Sequence, residues 1–400
     1  MSALLEVKNL RLYLETEKGY VRAVDGLGFK ISENEWYALV GESGCGKSMT
    51  ANAIMRLLPE NAVFVEHSEI IFDGVSLLEK TEREMREIRG SEISIIFQEP
   101  MTALNPVMTI GDQLKEAVKS QENNLSRSDK VVELLEAVKI SDPLLRMKCY
   151  PHELSGGMKQ RVMIAMALAG EPKLLIADEA TTALDVTIQA EILNLLKSLQ
   201  KTFKFGVLFI THDLAIVSQV ADQVGVMYAG QLIEESAKDA FFTKPKHPYS
   251  KGLLAARPNQ ILKDRPLQSI PGSVPKSIDP PEGCRFASRC VYRIESCALP
   301  QKLEPDKVRC AQWGSLKSPQ FVVPKPQEVD RVDENQEVIL EVKNLKVHFP
   351  IKSGILKRTR SYVRAVDDVS FHMQKGETVA IVGESGCGKS TLGKAIAQLI

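Results

Sequence analysis

The octapeptide GESGCGKS occurs twice in the chain, at Gly41–Ser48 and again at Gly383–Ser390. It fits the pattern G-x-x-x-x-G-K-[ST], in which the glycines let successive backbone N–H groups turn toward phosphate oxygens. The lysine brings a positive charge to the β- and γ-phosphates, and the serine hydroxyl is a ligand for Mg²⁺. The pattern therefore predicts two phosphate-binding loops.

The residues on either side of each octapeptide support this interpretation. WYALV (Trp36–Val40) and TVAIV (Thr378–Val382) are short apolar runs that predict a buried strand before each loop. KSMTANAIMRLL, which begins at Lys47, predicts a helix whose positive dipole end faces the phosphate. A glycine-rich turn that fits the pattern by chance lacks this strand–loop–helix order. The predicted nucleotide-binding residues are Gly41, Glu42, Ser43, Gly44, Cys45, Gly46, Lys47, Ser48 and Met49, and in the second loop Gly383, Gly386, Gly388, Lys389, Ser390 and Thr391.

The composition describes a globular protein of two or three domains. Of 400 residues, 44% are hydrophobic and 26% charged, and 51 basic residues balance 51 acidic ones, so nothing suggests nucleic acid or anionic lipid as a partner. No uncharged apolar run approaches the ~18 residues of a transmembrane helix, and MSALLEVKNL has no signal-peptide core. Cys45 and Cys387 lie inside the loops, where a disulfide would distort the turn, so we expect a reducing cytoplasm.

The repeated unit is much longer than the octapeptide. LEVKNL at Leu5–Leu10 returns at Leu340–Leu345, and YVRAVDGLGF at Tyr20–Phe29 returns as YVRAVDDVSF at Tyr362–Phe371. A unit of this length indicates a duplicated domain, and alternating strand and helix patterns predict an α/β fold with a largely parallel core. We expect a first domain at 1–245 with a helical insert at about 100–170, a cysteine-bearing extension at 246–316, a Pro-rich linker at 317–337, and at 338–400 the start of a second domain, interpreted as a fragment or a truncated copy.

Acidic side chains follow one of the predicted strands. KLLIADEA (Lys173–Ala180) ends in Asp178, which is expected in the Mg²⁺ shell, and Glu179, which is expected near the water that attacks the γ-phosphate. ISIIFQEP ends at Gln98 and FITHD at His212, and both side chains can reach metal, water or phosphate. A single polar residue at a strand end is more often an ordinary loop residue, so these two gain weight only from their order along the chain.

A second predicted anion site lies in ELSGGMKQR (Glu153–Arg161). Ser155 is placed as the N-cap of a helix whose first N–H groups, at Gly156 and Gly157, are exposed. An ordinary capped helix is the alternative, because the segment is not adjacent in sequence to either loop.

The ordered set of loop, Gln98, LSGGMKQR, IADEA, TALD and His212 resembles the ATP-binding subunits of ABC transporters over residues 4–245. The resemblance implies a phosphate-loop core with an antiparallel β subdomain and an α-helical subdomain. It also implies a composite site, in which ATP lies between one subunit's phosphate loop and the other's LSGG helix. The resemblance implies that Ser48, Gln98 and Asp178 bind Mg²⁺, that Glu179 is the general base and that His212 is a switch at the γ-phosphate. It implies that Tyr20 stacks on the adenine, with Tyr13 as the second candidate. The nucleotide of the opposite site would be contacted by Ser155, Gly156 and Gly157.

Further segments resemble the oligopeptide/dipeptide importer group. These are QEPMTALNP (Gln98–Pro106), HPYSKGLLAARP and IPGSVP (Ile270–Pro275), together with Met49 in the first loop against Thr391 in the second. The resemblance implies a fusion of the D-type and F-type ATPases of such an importer. It implies as partners two membrane permeases, a substrate-binding protein and a second ABC domain, in cis or in a homodimer. It places the chain peripherally at the cytoplasmic face of the cell membrane.

Four cysteines, Cys284, Cys290, Cys297 and Cys310, are clustered in the extension. In a reduced compartment they suggest a metal site, and four thiolates suit either Zn²⁺ or an iron–sulfur cluster. The resemblance to the D-type ATPase implies a [4Fe–4S] cluster, with a structural clasp favoured over a redox sensor.

Two other functions remain open at this point. One is a soluble ABC-type ATPase that acts on nucleic acid or ribosomes, which predicts a long coiled coil or a basic arm; neither pattern is seen in the sequence. The other is a non-catalytic metal-binding module regulated by ATP, which the intact Asp178–Glu179 pair disfavours.

Overall fold

The computed structural model describes residues 3–97, 103–118, 126–180, 185–257, 269–275, 278, 280–303, 305–316, 337–353, 358–384 and 386–400. The chain divides into two compact units, one of residues 1–183 with 189–324 and one of residues 184–188 with 325–400. The cysteine-bearing extension belongs to the first unit, where it pairs with the domain through bridges between Val21 and Ile278 and between Glu234 and Val308.

The first unit contains two sheets. Its strands are β1 (Leu5–Thr16), β2 (Gly19–Ile31), β3 (Trp36–Val40), β4 (Ala62–Phe64), β5 (Glu69–Phe72), β6 (Val75–Ser76), β7 (Ile93–Ile96), β8 (Leu174–Asp178), β9 (Gly206–Thr211), β10 (Gln223–Tyr228) and β11 (Gln231–Ala237). One sheet has the order β11-β10-β3-β9-β8-β7 and is parallel except for the β10–β11 pair. The other has the order β2-β1-β5-β6, with β4 also pairing with β1, and is antiparallel.

The central strands β3, β8 and β9 are almost wholly apolar because each lies between two neighbouring strands of this sheet. A parallel strand is buried on both faces, and every residue of β3, β8 and β9 is buried. The strand predicted at Trp36–Val40 is confirmed, with β9 on one side and β10 on the other. Because the phosphate loop follows Val40, it begins at the carboxyl edge of this sheet.

The antiparallel sheet shares a core with the parallel one. Leu10 and Leu12 of β1 and Leu27 of β2 are fully buried in one cluster with Leu39 of β3 and Ile210 of β9. This sheet is the β subdomain that the family resemblance implies.

The described part of the first unit contains ten α-helices. They are α1 (Lys47–Met55), α2 (Glu82–Ile88), α3 (Ile110–Ala117), α4 (Arg127–Ala137), α5 (Pro143–Arg146), α6 (Gly156–Leu168), α7 (Val186–Phe203, whose first residues belong to the second unit), α8 (Leu214–Val220), α9 (Lys238–Thr243) and α10 (Pro248–Ala255). Helix α1 is shorter than predicted because Arg56 adopts a left-handed conformation, φ 49°, and ends it. Within the described ranges, no helix is long and apolar enough to cross a membrane.

The second unit has a long hairpin and one helix in its described part. Strand β12 (Val338–Ser353) pairs antiparallel with β13 (Arg358–Gln374), and α11 (Lys389–Ile396) follows the second octapeptide. The strand predicted at Thr378–Val382 is wrong: this segment is irregular and Val382 is 86% exposed. Its counterpart β3 is held by two parallel neighbours, and among the described residues of this unit no such strand lies beside it. Without those hydrogen-bond partners an apolar run does not form a sheet strand.

Candidate functional site

The first octapeptide has the backbone that a phosphate cradle requires. Gly41, Gly44 and Gly46 have φ values of +154°, +79° and +106°. A Cβ at Gly46 would lie 2.2 Å from the carbonyl oxygen of Ala23, so this position admits glycine alone. The buried Lys47 ammonium donates to the carbonyl oxygens of Gly41 at 2.9 Å and of Glu42 at 3.0 Å. The positive charge is therefore held against the loop, where phosphate would bind.

Ser48 and Asp178, the two described residues that the sequence predicts as magnesium ligands, lie within hydrogen-bond distance of each other. The Ser48 hydroxyl donates to Asp178 Oδ1 at 3.1 Å, which joins the start of α1 to the end of β8. Burial raises the pKa of Asp178, against the Ser48 hydrogen bond, and the charge of Glu179 raises it further. A divalent cation beside this carboxylate would offset the cost of burying its charge. The hydroxyl and carboxylate oxygens are also the donors that Mg²⁺ prefers.

Glu179 and His212 meet at the ends of neighbouring strands. Asp178 is aligned with Ile210 in the β8–β9 pair, and the Glu179 N–H donates to the Ile210 carbonyl at 2.9 Å. This contact places Glu179 Oε1 3.3 Å from His212 Nδ1. Glu179 also has a left-handed backbone, φ +48°. Such strain in a non-glycine residue is frequent at functional sites.

The predicted capped helix is confirmed. Ser155 caps α6, and its side chain accepts the N–H of Met158 at 3.3 Å. Gly156 and Gly157 form the first turn, and a Cβ at Gly156 would meet no atom within 4 Å. The cap is therefore open to an incoming group.

Sequence reasoning missed Gln160 in this helix. Its side-chain amide is buried and donates to the Ala180 carbonyl at 2.6 Å, directly after Glu179. The LSGG helix is thus tied to the end of the acidic strand. The sequence signal was a polar residue on the buried face of a predicted helix.

The two adenine-stacking candidates have different environments. Tyr13 is engaged, because its hydroxyl donates to Asp25 at 2.8 Å and the Arg22 guanidinium lies 5.6 Å from its ring centre. Tyr20 lies in the β1–β2 hairpin with 50% of its surface exposed. Gln98 and the TTAL part of TTALD lie outside the described residues.

The three glycines of the second octapeptide have backbone angles close to those of the first. Gly383, Gly386 and Gly388 have φ values of +158°, +84° and +99°. Lys389 donates to the carbonyl oxygens of Gly383 and Glu384, both at 2.7 Å. Ser390 and Thr391 follow in the first turn of α11.

The four extension cysteines, Cys284, Cys290, Cys297 and Cys310, line one small cavity together with His247. Burial raises the pKa of Cys284 to about 12 and that of Cys290 to about 11, and each neighbouring thiol adds to the shift. All four are free thiols. Among the described residues, no three His, Cys, Asp or Glu side chains are placed to hold a single metal ion.

The buried His247 lines the same cavity as the four cysteines. Its Nδ1 accepts the N–H of Tyr249 at 3.0 Å, so the ring proton of the neutral form lies on Nε2. Burial lowers its pKa to about 3, which keeps the imidazole neutral. Nε2 lies near the Arg309 carbonyl but completes no hydrogen bond to any described residue. A buried donor on a residue that lines the same cavity as four thiols is compatible with a bound group that carries acceptors, such as sulfide or thiolate.

Comparison with known proteins agrees with this geometry. The ABC transporter family model matches residues 24–182 and 366–400, and the model for the oligopeptide/dipeptide transporter C-terminal region matches 233–297. The dipeptide transport ATP-binding protein DppD of Bacillus subtilis (strain 168) is 49% identical over 300 residues, which cover 74% of this chain and 89% of that protein. The glutathione import ATP-binding protein GsiA of Shigella boydii is 41% identical over 404 residues, 99% of this chain but 58% of that protein. A dimeric post-hydrolysis structure of the ATP-binding cassette MJ0796 with ADP and Pi aligns with a TM-score of 0.52 and 26% identity, over 58% of this chain and 98% of that one.

The fold and the site together define an ATPase with a phosphate-binding loop of the ABC type. The chain belongs to the ABC transporter ATP-binding proteins of the oligopeptide/dipeptide importer type. The family resemblance in the sequence is confirmed at this level, and the enzyme is an ATPase that uses ATP and Mg²⁺.

Proposed function

We propose that this ATPase drives the import of dipeptides, oligopeptides or a related small peptide such as glutathione into a bacterial cell. The relatives' names supply the cargo class, since they include dipeptide, oligopeptide and glutathione import proteins. The observation that carries the ATPase part is the meeting of Ser48 with Asp178 and of Glu179 with His212 at one edge of the parallel sheet.

The site residues have distinct roles in this proposal. The loop from Gly41 to Ser48 binds the phosphates, with Lys47 released from its own loop carbonyls toward the β- and γ-phosphates. Mg²⁺, when bound, neutralises charge on the phosphates, and Ser48, Asp178 and Gln98 would hold it. Glu179 accepts a proton from the attacking water, and His212, which contacts Glu179 in the free protein, contacts the γ-phosphate.

We propose further that the site is completed by a second ABC domain. The exposed cap formed by Ser155 and Gly157 contacts the nucleotide bound to the opposite domain's loop. Three observations support this: the open helix N-terminus, the dimeric relative with ADP and Pi, and the second octapeptide. The partner domain is either the remainder of a D-type/F-type fusion or a second chain. The chain spans 58% of GsiA, with which it aligns over 99% of its own length.

The membrane partners follow from the importer assignment. Two permease subunits bind the ATPase peripherally at the cytoplasmic face, and a separate binding protein delivers the cargo. The helical region that includes α3 and α4 is the surface assigned to the permeases. Exposed apolar side chains there, Val107, Leu144 and Leu145, support this placement.

We propose that the four cysteines hold a [4Fe–4S] cluster, with Zn²⁺ as the alternative. Support comes from the convergence of Cys284, Cys290, Cys297 and Cys310 on one cavity and from the His247 donor beside them. Four thiolates are the ligand set of a [4Fe–4S] cluster, and the same set also suits Zn²⁺. Its role is that of a clasp for the extension. Iron, acid-labile sulfide and zinc assays on anaerobically purified protein separate the two metals, and the absence of all three would contradict the site.

ATP hydrolysis in vesicles tests the function as a whole. Purified protein is assayed alone, with permeases and binding protein reconstituted in lipid, and with RNA or ribosomes. We expect stimulation by the permeases when the binding protein carries peptide, and none in a Lys47→Ala variant. Stimulation by RNA or ribosomes alone would instead support a soluble ABC-type ATPase.

A further inference from the structure

Arg289 lies in the cysteine-bearing extension, immediately before Cys290, yet it contacts the phosphate-binding loop. Its Nη1 is 3.0 Å from both carboxylate oxygens of Glu42, the second residue of the octapeptide. The side chain of Arg289 is only 6% exposed and that of Glu42 30% exposed. This is a partly desolvated, charge-assisted contact between segments 247 residues apart.

The rest of the Arg289 guanidinium is fixed by the extension and the sheet. Nε donates to the Pro271 carbonyl at 2.8 Å, Nη2 to the Ile270 carbonyl at 3.3 Å, and Nη1 also to the Tyr228 hydroxyl at 3.3 Å. The charged group lies 5.7 Å from the centre of the Tyr228 ring. Arg289 is therefore a rigid donor that does not need to be ordered when nucleotide arrives.

Glu42 is held from three sides. Arg289 binds its carboxylate, and the hydroxyl of the buried Tyr249 accepts its N–H at 3.0 Å. Lys47 donates to its carbonyl oxygen. Two of these three contacts come from residues of the region that follows the core domain.

The second octapeptide shows that the contacts to Glu42 are not needed for the backbone conformation of the loop. Its glycines have nearly the same φ values and its Lys389 makes the same two carbonyl contacts, although its flanking strand is missing. The backbone shape is therefore encoded within the loop. What Arg289 adds at Glu42 is charge: an unpaired carboxylate inside a phosphate-binding loop would repel a polyphosphate.

We propose that Arg289 is a positioning residue for the nucleotide, which neutralises Glu42 and so sets the affinity of the first loop for MgATP. The inference rests on the proposed role of this loop as the ATP site, and it does not depend on what the cysteines bind. By thermodynamic reciprocity, MgATP must also stabilise the extension segment around Arg289.

Equilibrium titration with MgATP tests the charge argument through a double-mutant cycle. Arg289→Gln should weaken binding about 5- to 10-fold, the low end of typical coupling between sites, because Glu42 is partly exposed to solvent. In a Glu42→Gln background, where no carboxylate is left to neutralise, adding Arg289→Gln should change the affinity by less than about 2-fold. The matched control is Arg293→Gln, since Arg293 is an exposed arginine of the same extension and makes none of these contacts.

Each outcome distinguishes the inference from the proposed function. Unchanged affinity in Arg289→Gln, or an equal loss of affinity when Arg289→Gln is added to Glu42→Gln, would overturn the role of charge neutralisation. Failure of the unmodified protein to bind MgATP would instead overturn the proposed ATP site. If loss of the Pro271 and Ile270 contacts prevents Arg289→Gln from folding, Arg289→Lys is the substitute variant. It keeps the positive charge but loses the several N–H donors of the guanidinium, and MgATP binding should weaken about 2- to 3-fold. In addition, MgATP should slow amide hydrogen exchange at residues 284–298 in the unmodified protein, and it should slow this exchange less in Glu42→Gln. Equal slowing in both proteins would contradict the coupling between the nucleotide and the extension through Glu42 and Arg289.

Discussion

Replacing Glu179 by glutamine isolates the proton-accepting role of this residue. The side chain is 14% exposed, and its Oε1 lies 3.3 Å from His212 Nδ1. Glutamine has the same size and keeps an oxygen able to contact His212, so position and packing are conserved. The backbone contact from residue 179 to the Ile210 carbonyl is also unaffected. The change therefore removes the ability to take a proton from water, together with the negative charge of the carboxylate.

The expected loss follows from the usual contribution of a general base, about 10²- to 10⁴-fold in rate. At about 1.36 kcal/mol for each factor of ten, this corresponds to roughly 2.7 to 5.4 kcal/mol in the activation barrier. Binding of MgATP should not weaken, because the Lys47 contacts and the Ser48–Asp178 hydrogen bond are kept and the loss of a carboxylate reduces repulsion of the phosphates.

The assay combines steady-state phosphate release with a MgATP titration on the same preparation. His212→Gln is the companion variant, and it should bind MgATP and hydrolyse it faster than Glu179→Gln, because the base remains. A Glu179→Gln protein that binds MgATP normally and turns over within 10-fold of the unmodified enzyme would refute the assignment of Glu179 as the base.

Three further outcomes are expected. Gly46→Ala should abolish MgATP binding, because its Cβ would lie 2.2 Å from the Ala23 carbonyl oxygen. Gly44→Ala, at φ +79° in open space, should only lower the free energy of unfolding by about 1–2 kcal/mol. Thermal melts and MgATP titrations of the two variants check this. Asp178→Asn should remove the Mg²⁺ dependence of ATP binding. In the unmodified protein that dependence should fade on acidification at a higher pH than for an ordinary aspartate, because burial raises the pKa and the ligand must be deprotonated. Ser155→Ala should cost about 1 kcal/mol through loss of the cap, seen as a lower Tm in the isolated chain, and should lower turnover only when a second domain is present.

Features encoded over short stretches were predicted well from sequence. The loop glycines and the Ser155 cap each depend on fewer than about ten neighbouring residues, and the structure has both. Their common basis is local stereochemistry: glycine for left-handed turns and a serine oxygen for a free helix N–H. The strand predicted at Trp36–Val40 is also present, but it depends on its neighbours β9 and β10.

Features that depend on distant partners were missed or wrong. The pattern at Thr378–Val382 equals that of β3, but a parallel strand needs neighbours, and none is present among the described residues of that unit. Arg289 was passed over because its partner Glu42 is 247 residues away. His247 was noted only as part of a family segment, although its burial and its Nδ1 contact fix a tautomer beside the cysteines. Roles that concern a second domain, such as those of Ser155 and Gly157, remain predictions.

The three glycines and the lysine of the octapeptide have nearly the same backbone angles and contacts in two settings, after a strand of a sheet and after an irregular segment. A loop whose conformation does not depend on the flanking structure can be duplicated with its gene segment and still form an anion-binding turn at the new location. The two copies can then diverge at positions next to the octapeptide, such as Met49 against Thr391, while the octapeptide itself stays the same.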